Sequence, residues 1–193
     1  MVELETEQGK KELHELFLKD VYKIHEGEKI KQCIQCGTCS GSCPTAHLMD
    51  YGPREVIAAF RAGMLDRVLK SNTIWLCTSC YSCTVRCPAG IRITDIMYEL
   101  KRLAIKYKSY PRDSKNPAMT KFFVDNIHKY GRNHETEFIA KFVATKSPSL
   151  GVKFPALGAK LFAAGRLPLL PTSIKGKDEL NKIVSVLEKK DVA

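Results

Sequence analysis

Two short runs hold every cysteine in the chain. Cys33-x2-Cys36-x2-Cys39-x3-Cys43-Pro44 recurs 44 residues later as Cys77-x2-Cys80-x2-Cys83-x3-Cys87-Pro88, with every defined position matched. A cysteine at each third residue lets one tight loop curl around a cubane and offer three thiolates to three irons. The fourth cysteine follows a longer step and precedes a proline that turns the chain away. In two-cluster ferredoxins that residue ligates the other cluster. The pattern therefore predicts two [4Fe-4S] clusters, the first on Cys33, Cys36, Cys39 and Cys87, the second on Cys77, Cys80, Cys83 and Cys43. Crossed ligation of this kind ties the two runs into one frame.

Four-cysteine zinc sites usually bring two separated pairs to one tetrahedral ion, and a triple C-x2-C-x2-C would leave one thiolate there without a role. A reducing compartment keeps such cysteines available for metal instead of disulfides. Gly37, Gly41 and Gly90 either let backbone amides approach the cluster sulfurs or simply ease tight turns. Trp75, just before the second run, either shields a cluster or belongs to the core. The five histidines are scattered, and His47, the nearest to a run, is expected to be structural. No G-x-G-x-x-G, Walker loop or nucleophile elbow occurs, so no catalytic residue is expected in this chain.

Between Cys43 and Cys77 lie 33 residues of helical periodicity, which favours an all-α, α-helical ferredoxin domain over the small α+β ferredoxin. Residues 11–26 carry an amphipathic pattern through Leu13, Leu16, Phe17, Val21 and Ile24. Pro53 suits the first position of a helix with Val56, Ile57, Phe60 and Met64 on one face, Gly63 breaks it, and a short helix follows over about 64–70. Thr94 is the expected N-cap of a helix whose stripe is Ile96, Met97, Leu100, Leu103, Ala104 and Tyr107. Beyond Pro111 the chain reads as further helices. One opens at Asn116-Pro117 with Phe123, Ile127 and Tyr130 inward and Gly131 as its stop. A second is capped by Asn133 and ends before Ser147-Pro148, and a third starts at Pro155 and ends at Gly165. Leu167-Pro168-Leu169-Leu170-Pro171 is expected to be extended, and a last helix near 177–190 is expected to bury Leu180, Ile183, Val184 and Leu187. The predicted organisation is an N-terminal helix over 1–30, a two-cluster domain over 31–110 and a basic, helical, partner-docking extension over 111–193.

Charge supports that division. Residues 1–100 hold 12 Lys/Arg against 13 Asp/Glu, whereas residues 101–193 hold 19 against 8. Lysines of the second part are interleaved with apolar helical positions, a pattern of solvated surface or protein docking instead of a nucleic-acid stripe. The acidic start has no apolar h-region after it, and the stretch Leu157 to Leu170 is too short and too charged to span a bilayer. A cytoplasmic protein without a membrane span is expected.

The paired motifs in a helical frame, followed by a cysteine-free basic tail with Tyr130-Gly131-Arg132-Asn133 and Gly165-Arg166-Leu167-Pro168-Leu169-Leu170-Pro171, resemble the C-type iron-sulfur subunit of the soluble heterodisulfide reductase of methanogens over about residues 11–190. The resemblance implies an electron carrier between two partners. The A-type partner carries flavin and further iron-sulfur clusters and bifurcates electrons; the cysteine-rich B-type partner reduces the disulfide between coenzyme M and coenzyme B. A hydrogenase or formate dehydrogenase would supply such a complex indirectly. The same cysteine pattern occurs in iron-sulfur subunits of fumarate reductase and glycolate oxidase type, the alternative reading. Those commonly fuse a [2Fe-2S] domain or a cysteine-rich catalytic domain, and neither is present in this sequence.

Overall fold

Thr6 starts the first helix: its Oγ1 accepts the Gly9 N–H at 3.0 Å, and α1 runs Glu7–Val21. The computed structural model describes residues 6–111, 114–153, 155–168 and 170–192, and among them there are twelve α-helices and no strand. The fold class is all-α. Two units divide the chain, Met1–Ser114 and Lys115–Ala193.

In the first unit, α1 begins and ends earlier than the 11–26 expected: Thr6 caps its front, and after Tyr22 the bonding tightens to Lys23 N–H on Asp20 O and Ile24 N–H on Val21 O before Glu26, with a left-handed φ of 59°, starts the 3-10 helix Gly27–Gln32. Ile24 falls outside the helix yet still packs on the core. The short α2 (Thr38–Gly41) and α6 (Ser82–Val85) lie within the cysteine runs. Between them come α3 (Pro53–Arg61), α4 (Leu65–Leu69) and α5 (Thr73–Leu76), and α7 (Ile93–Lys106) follows the second run. Pro53 is the first residue of α3, and Glu55 reaches back to accept the Gly52 N–H at 2.7 Å. Met64 does not share the buried face of α3; it is exposed in the turn before α4.

Leu13, Phe17 and Val21 of α1 meet Leu65, Val68 and Leu69 of α4 and Leu100, Leu103 and Ala104 of α7 in one buried cluster. Removing each large side chain of this kind from water contributes about 1.5–3 kcal/mol. A clasp then sets the approach to the second run. Asp50 N–H donates to Asn72 Oδ1 at 2.9 Å, Asn72 N–H donates to Asp50 Oδ2 at 2.8 Å, and Tyr51 N–H donates to Thr73 Oγ1 at 2.8 Å.

The second unit holds α8 (Asn116–Tyr130), α9 (Glu135–Lys146), α10 (Pro148–Lys153), α11 (Pro155–Ala163) and α12 (Lys177–Val192). Gly131 ends α8 with a φ of 74°. His134, not Asn133, caps α9: its Nδ1 accepts the Glu137 N–H at 3.2 Å, while Asn133 Oδ1 accepts from Asn126 Nδ2. The helix α10 is an addition to the elements expected from periodicity. Phe123, expected inward, is exposed and meets Phe138 only edge-on, and Ile183 and Leu187 of α12 are 59% and 55% exposed instead of buried. Leu169 of the extended segment lies outside the described residues.

Glu137 ties α8 to α9. It accepts from Lys141 Nζ at 2.6 Å, Tyr130 Oη at 2.6 Å and Lys129 Nζ at 3.1 Å, and these bonds, Lys141 foremost, hold its carboxyl down to about 2 from the usual 4.5. A lowered carboxyl stabilises the fold above its unfolded value and loses that contribution as pH falls toward the folded one. Glu137→Gln should therefore be less stable than the parent in urea unfolding at neutral pH, with the difference shrinking between pH 4.5 and about 2. A pH-independent difference would contradict this account.

Candidate metal centre

Both runs take the same path. Gln35 and Ser79, two residues after the first cysteine of each run, have φ of 58° and 57°; Gly37 and Tyr81 follow at 82° and 60° and lead into α2 and α6. These left-handed turns curl each run into a loop that presents its first three cysteines inward.

Two hollows result. The first is lined by Cys33, Cys36 and Cys39 of one run and Cys87 of the other, with Ile34, Ile91 and Ile93 beside them. The second is lined by Cys77, Cys80 and Cys83 with Cys43, and Met49 and Met97 stand beside them. All eight cysteines are free thiols. Among the described residues no three His, Cys, Asp or Glu side chains converge on a single-ion site; the sulfurs stand around a space instead. Four thiolates around an apolar hollow are a donor set that suits a [4Fe-4S] cluster. Gly37 and Gly90 have left-handed φ of 82° and 65°, whereas Gly41 does not and has room among the protein atoms for a β-carbon. His47 and Trp75 line neither hollow; Trp75 packs against the core with its ring edge-on to Tyr110.

Polar neighbours tune the sulfurs. Thr38 Oγ1 lies 3.3 Å from Cys36 Sγ, and its hydroxyl and N–H lower the Cys36 thiol; Ser82 does the same for Cys80. Burial pushes up Cys39 and Cys83, the third cysteine of each run. Gln35 Nε2 donates to Cys33 Sγ at 3.3 Å.

The repeat extends past the cysteines. Ser40 Oγ accepts the N–H of Arg54, second residue of α3, at 3.0 Å, and Thr84 Oγ1 accepts that of Thr94, second residue of α7, at 3.1 Å. Thr94 is thus inside its helix instead of capping it. The ninth residue of each helix holds the carbonyl of the first cysteine: Arg61 Nη1 donates to Cys33 O at 2.8 Å, and Lys101 Nζ donates to Cys77 O at 3.3 Å. Sequence reading misses these residues. Their signal is the pair of hydroxyl residues flanking the third cysteine, Thr38 and Ser40 in one run, Ser82 and Thr84 in the other.

The 4Fe-4S dicluster domain family matches residues 29–91, which include all eight cysteines. The chain is 36% identical over 128 residues to the C2 polypeptide of the H(2)/formate:CoB-CoM heterodisulfide,ferredoxin reductase of Methanococcus maripaludis, across 63% of this chain and 68% of that protein. This chain belongs to the family of C-type iron-sulfur subunits of heterodisulfide reductase. It is also 35% identical over 130 residues to the C-type iron-sulfur subunit of the CoB--CoM heterodisulfide reductase of Methanopyrus kandleri, across 67% of this chain and 66% of that one. To the second such iron-sulfur subunit of Methanocaldococcus jannaschii it is 47% identical over 77 residues, 40% of this chain and 41% of that protein. The matches thus span from under half to about two thirds of these relatives. Among the described residues no helix is long and apolar enough to cross a membrane.

Proposed function

We propose that this chain is the electron-relay subunit of a cytoplasmic heterodisulfide reductase complex. The observation that carries the reading is the composition of the two hollows, each with three cysteines of one run and one of the other. Cys33, Cys36, Cys39 and Cys87 would hold one [4Fe-4S] cluster, and Cys77, Cys80, Cys83 and Cys43 the second. When bound, each cluster supplies a one-electron couple. The protein's part is positional. Arg61 and Lys101 fix the loop carbonyls, Ser40 and Thr84 hold each loop on the following helix, and Ile91, Ile93, Met49 and Met97 would limit water at the clusters.

Electrons would pass singly from a bifurcating A-type partner, which contains flavin and iron-sulfur clusters, to the cysteine-rich B-type partner, which reduces the CoM-S-S-CoB heterodisulfide. The heterodisulfide named for both relatives supports the acceptor side, and the hydrogen or formate named for the Methanococcus maripaludis relative supports a donor side that a hydrogenase or formate dehydrogenase would feed. Residues 31–110 would form the two-cluster domain and the basic stretch 111–193 the partner-docking extension.

Anaerobic capture of the full chain from native cells tests this. It should bring down a flavoprotein and a cysteine-rich polypeptide, with iron in excess of the roughly eight per chain that two [4Fe-4S] clusters supply. Isolation with a succinate- or glycolate-oxidising flavoprotein would overturn the assignment.

A further inference from the structure

Two of the positions at which the repeat that builds the two hollows breaks place a side-chain hydrogen-bond donor on a ligand sulfur. Gln35 donates through Nε2 to Cys33 Sγ at 3.3 Å. Its counterpart Ser79 has the same left-handed backbone, but its hydroxyl accepts from Tyr98 Oη at 2.7 Å, and Cys77 gains no corresponding amide. The second break is Thr94, whose counterpart is Arg54. Thr84 Oγ1 donates to Thr94 Oγ1 at 3.1 Å, so the Thr94 proton is left for Cys83 Sγ, 3.5 Å away. Arg54 lines the first hollow, but its N–H is taken by Ser40 and it makes no hydrogen bond to Cys39 Sγ.

We infer that Gln35 and Thr94 are separate potential-setting residues, Gln35 for the cluster on Cys33 and Thr94 for the cluster on Cys83. This rests on the cluster assignment proposed above. Reduction adds one electron to a cluster without making or breaking a bond, and part of the added charge falls on the ligand sulfurs. A donor on a sulfur stabilises the reduced, more negative state more than the oxidised one, and so raises the midpoint potential. Because each donor serves one cluster, the two potentials are adjustable independently within a frame that is otherwise duplicated. Both residues are positioning residues, since they act through the ligand.

The test is a potentiometric titration of the full, reconstituted chain, poised with a chemical reductant through mediators and read by electron paramagnetic resonance. Gln35→Leu should move one midpoint to more negative potential and leave the other in place. Thr94→Val, which keeps its N–H on Thr84, should move the other midpoint in the same direction. The double variant should move both. Ser79→Ala is the control for a general disturbance of the loop and should move neither. Iron analysis accompanies each sample. A parent chain without roughly eight irons would sink the cluster reading itself. Full iron with midpoints unmoved in both Gln35→Leu and Thr94→Val would sink this inference alone, as would a shift from Ser79→Ala as large as theirs.

Discussion

Cys43→Ser is expected to lose the cluster of the second run and keep that of the first, although Cys43 belongs to the first run. Cys87→Ser is expected to do the converse. Each hollow takes its fourth sulfur from the other run, so removing that sulfur leaves three thiolates of one run around an incomplete site. A serine oxygen is a harder ligand and a poorer match for iron in a sulfide cubane than thiolate. Iron should fall from roughly eight to roughly four per chain in either variant, and the magnetic interaction between two reduced clusters should vanish. The assignment of the remaining signal decides the matter. It can be read by adding a second substitution: Cys43→Ser with Cys80→Ser should retain the same signal as Cys43→Ser alone, whereas Cys43→Ser with Cys36→Ser should lose it. The reverse result would mean that each run serves only its own cluster.

The cysteine pattern is legible in the sequence because spacing along the chain is itself the ligand geometry. The face of α7 is legible for a related reason: Ile96, Met97, Leu100, Leu103 and Ala104 are all buried, and periodicity encodes a face directly. The second layer of the repeat is hidden by a change of offset. Ser40 and Thr84 are 44 residues apart, but their partners Arg54 and Thr94 are 40 apart, and α3 and α7 share no identical residue in their first nine. What they share is chemistry at matching positions, acid at the third, apolar at the fourth, fifth and eighth, and a cation at the ninth. Thr94 is misplaced by one role because a local rule for caps cannot see that Thr84, ten residues earlier, already accepts its N–H. The same limit explains α12, since amphipathic spacing identifies an apolar face but not what covers it. Ile183 and Leu187 lie on such a face and remain exposed.

Gly27→Ala is the substitution expected to cost the fold most outside the cysteines. The Gly27 N–H donates to Ile24 O at 2.9 Å as the chain leaves α1 and enters the 3-10 helix that leads to Cys33. A β-carbon at this position would fall inside the van der Waals envelope of the Val21 carbonyl oxygen, which is backbone and cannot rotate away. Relief requires either the end of α1 or the start of the 3-10 helix to shift. Val21 and Ile30 flank the joint and are both fully buried, so either movement opens the core. The expected loss is on the order of 3 kcal/mol or more, at the upper end for an overpacked site. Gly41→Ala supplies the contrast: no atom would meet its β-carbon, and its backbone is not left-handed, so its effect should stay within about 0.5 kcal/mol. Urea unfolding of both variants, each checked for full iron before denaturant is added, separates the two predictions. Equal midpoints would show that the joint between α1 and the first cysteine run yields more easily than its packing implies. A large loss confined to Gly27→Ala would instead show that the cluster loop is anchored from the N-terminal side as firmly as it is from α3.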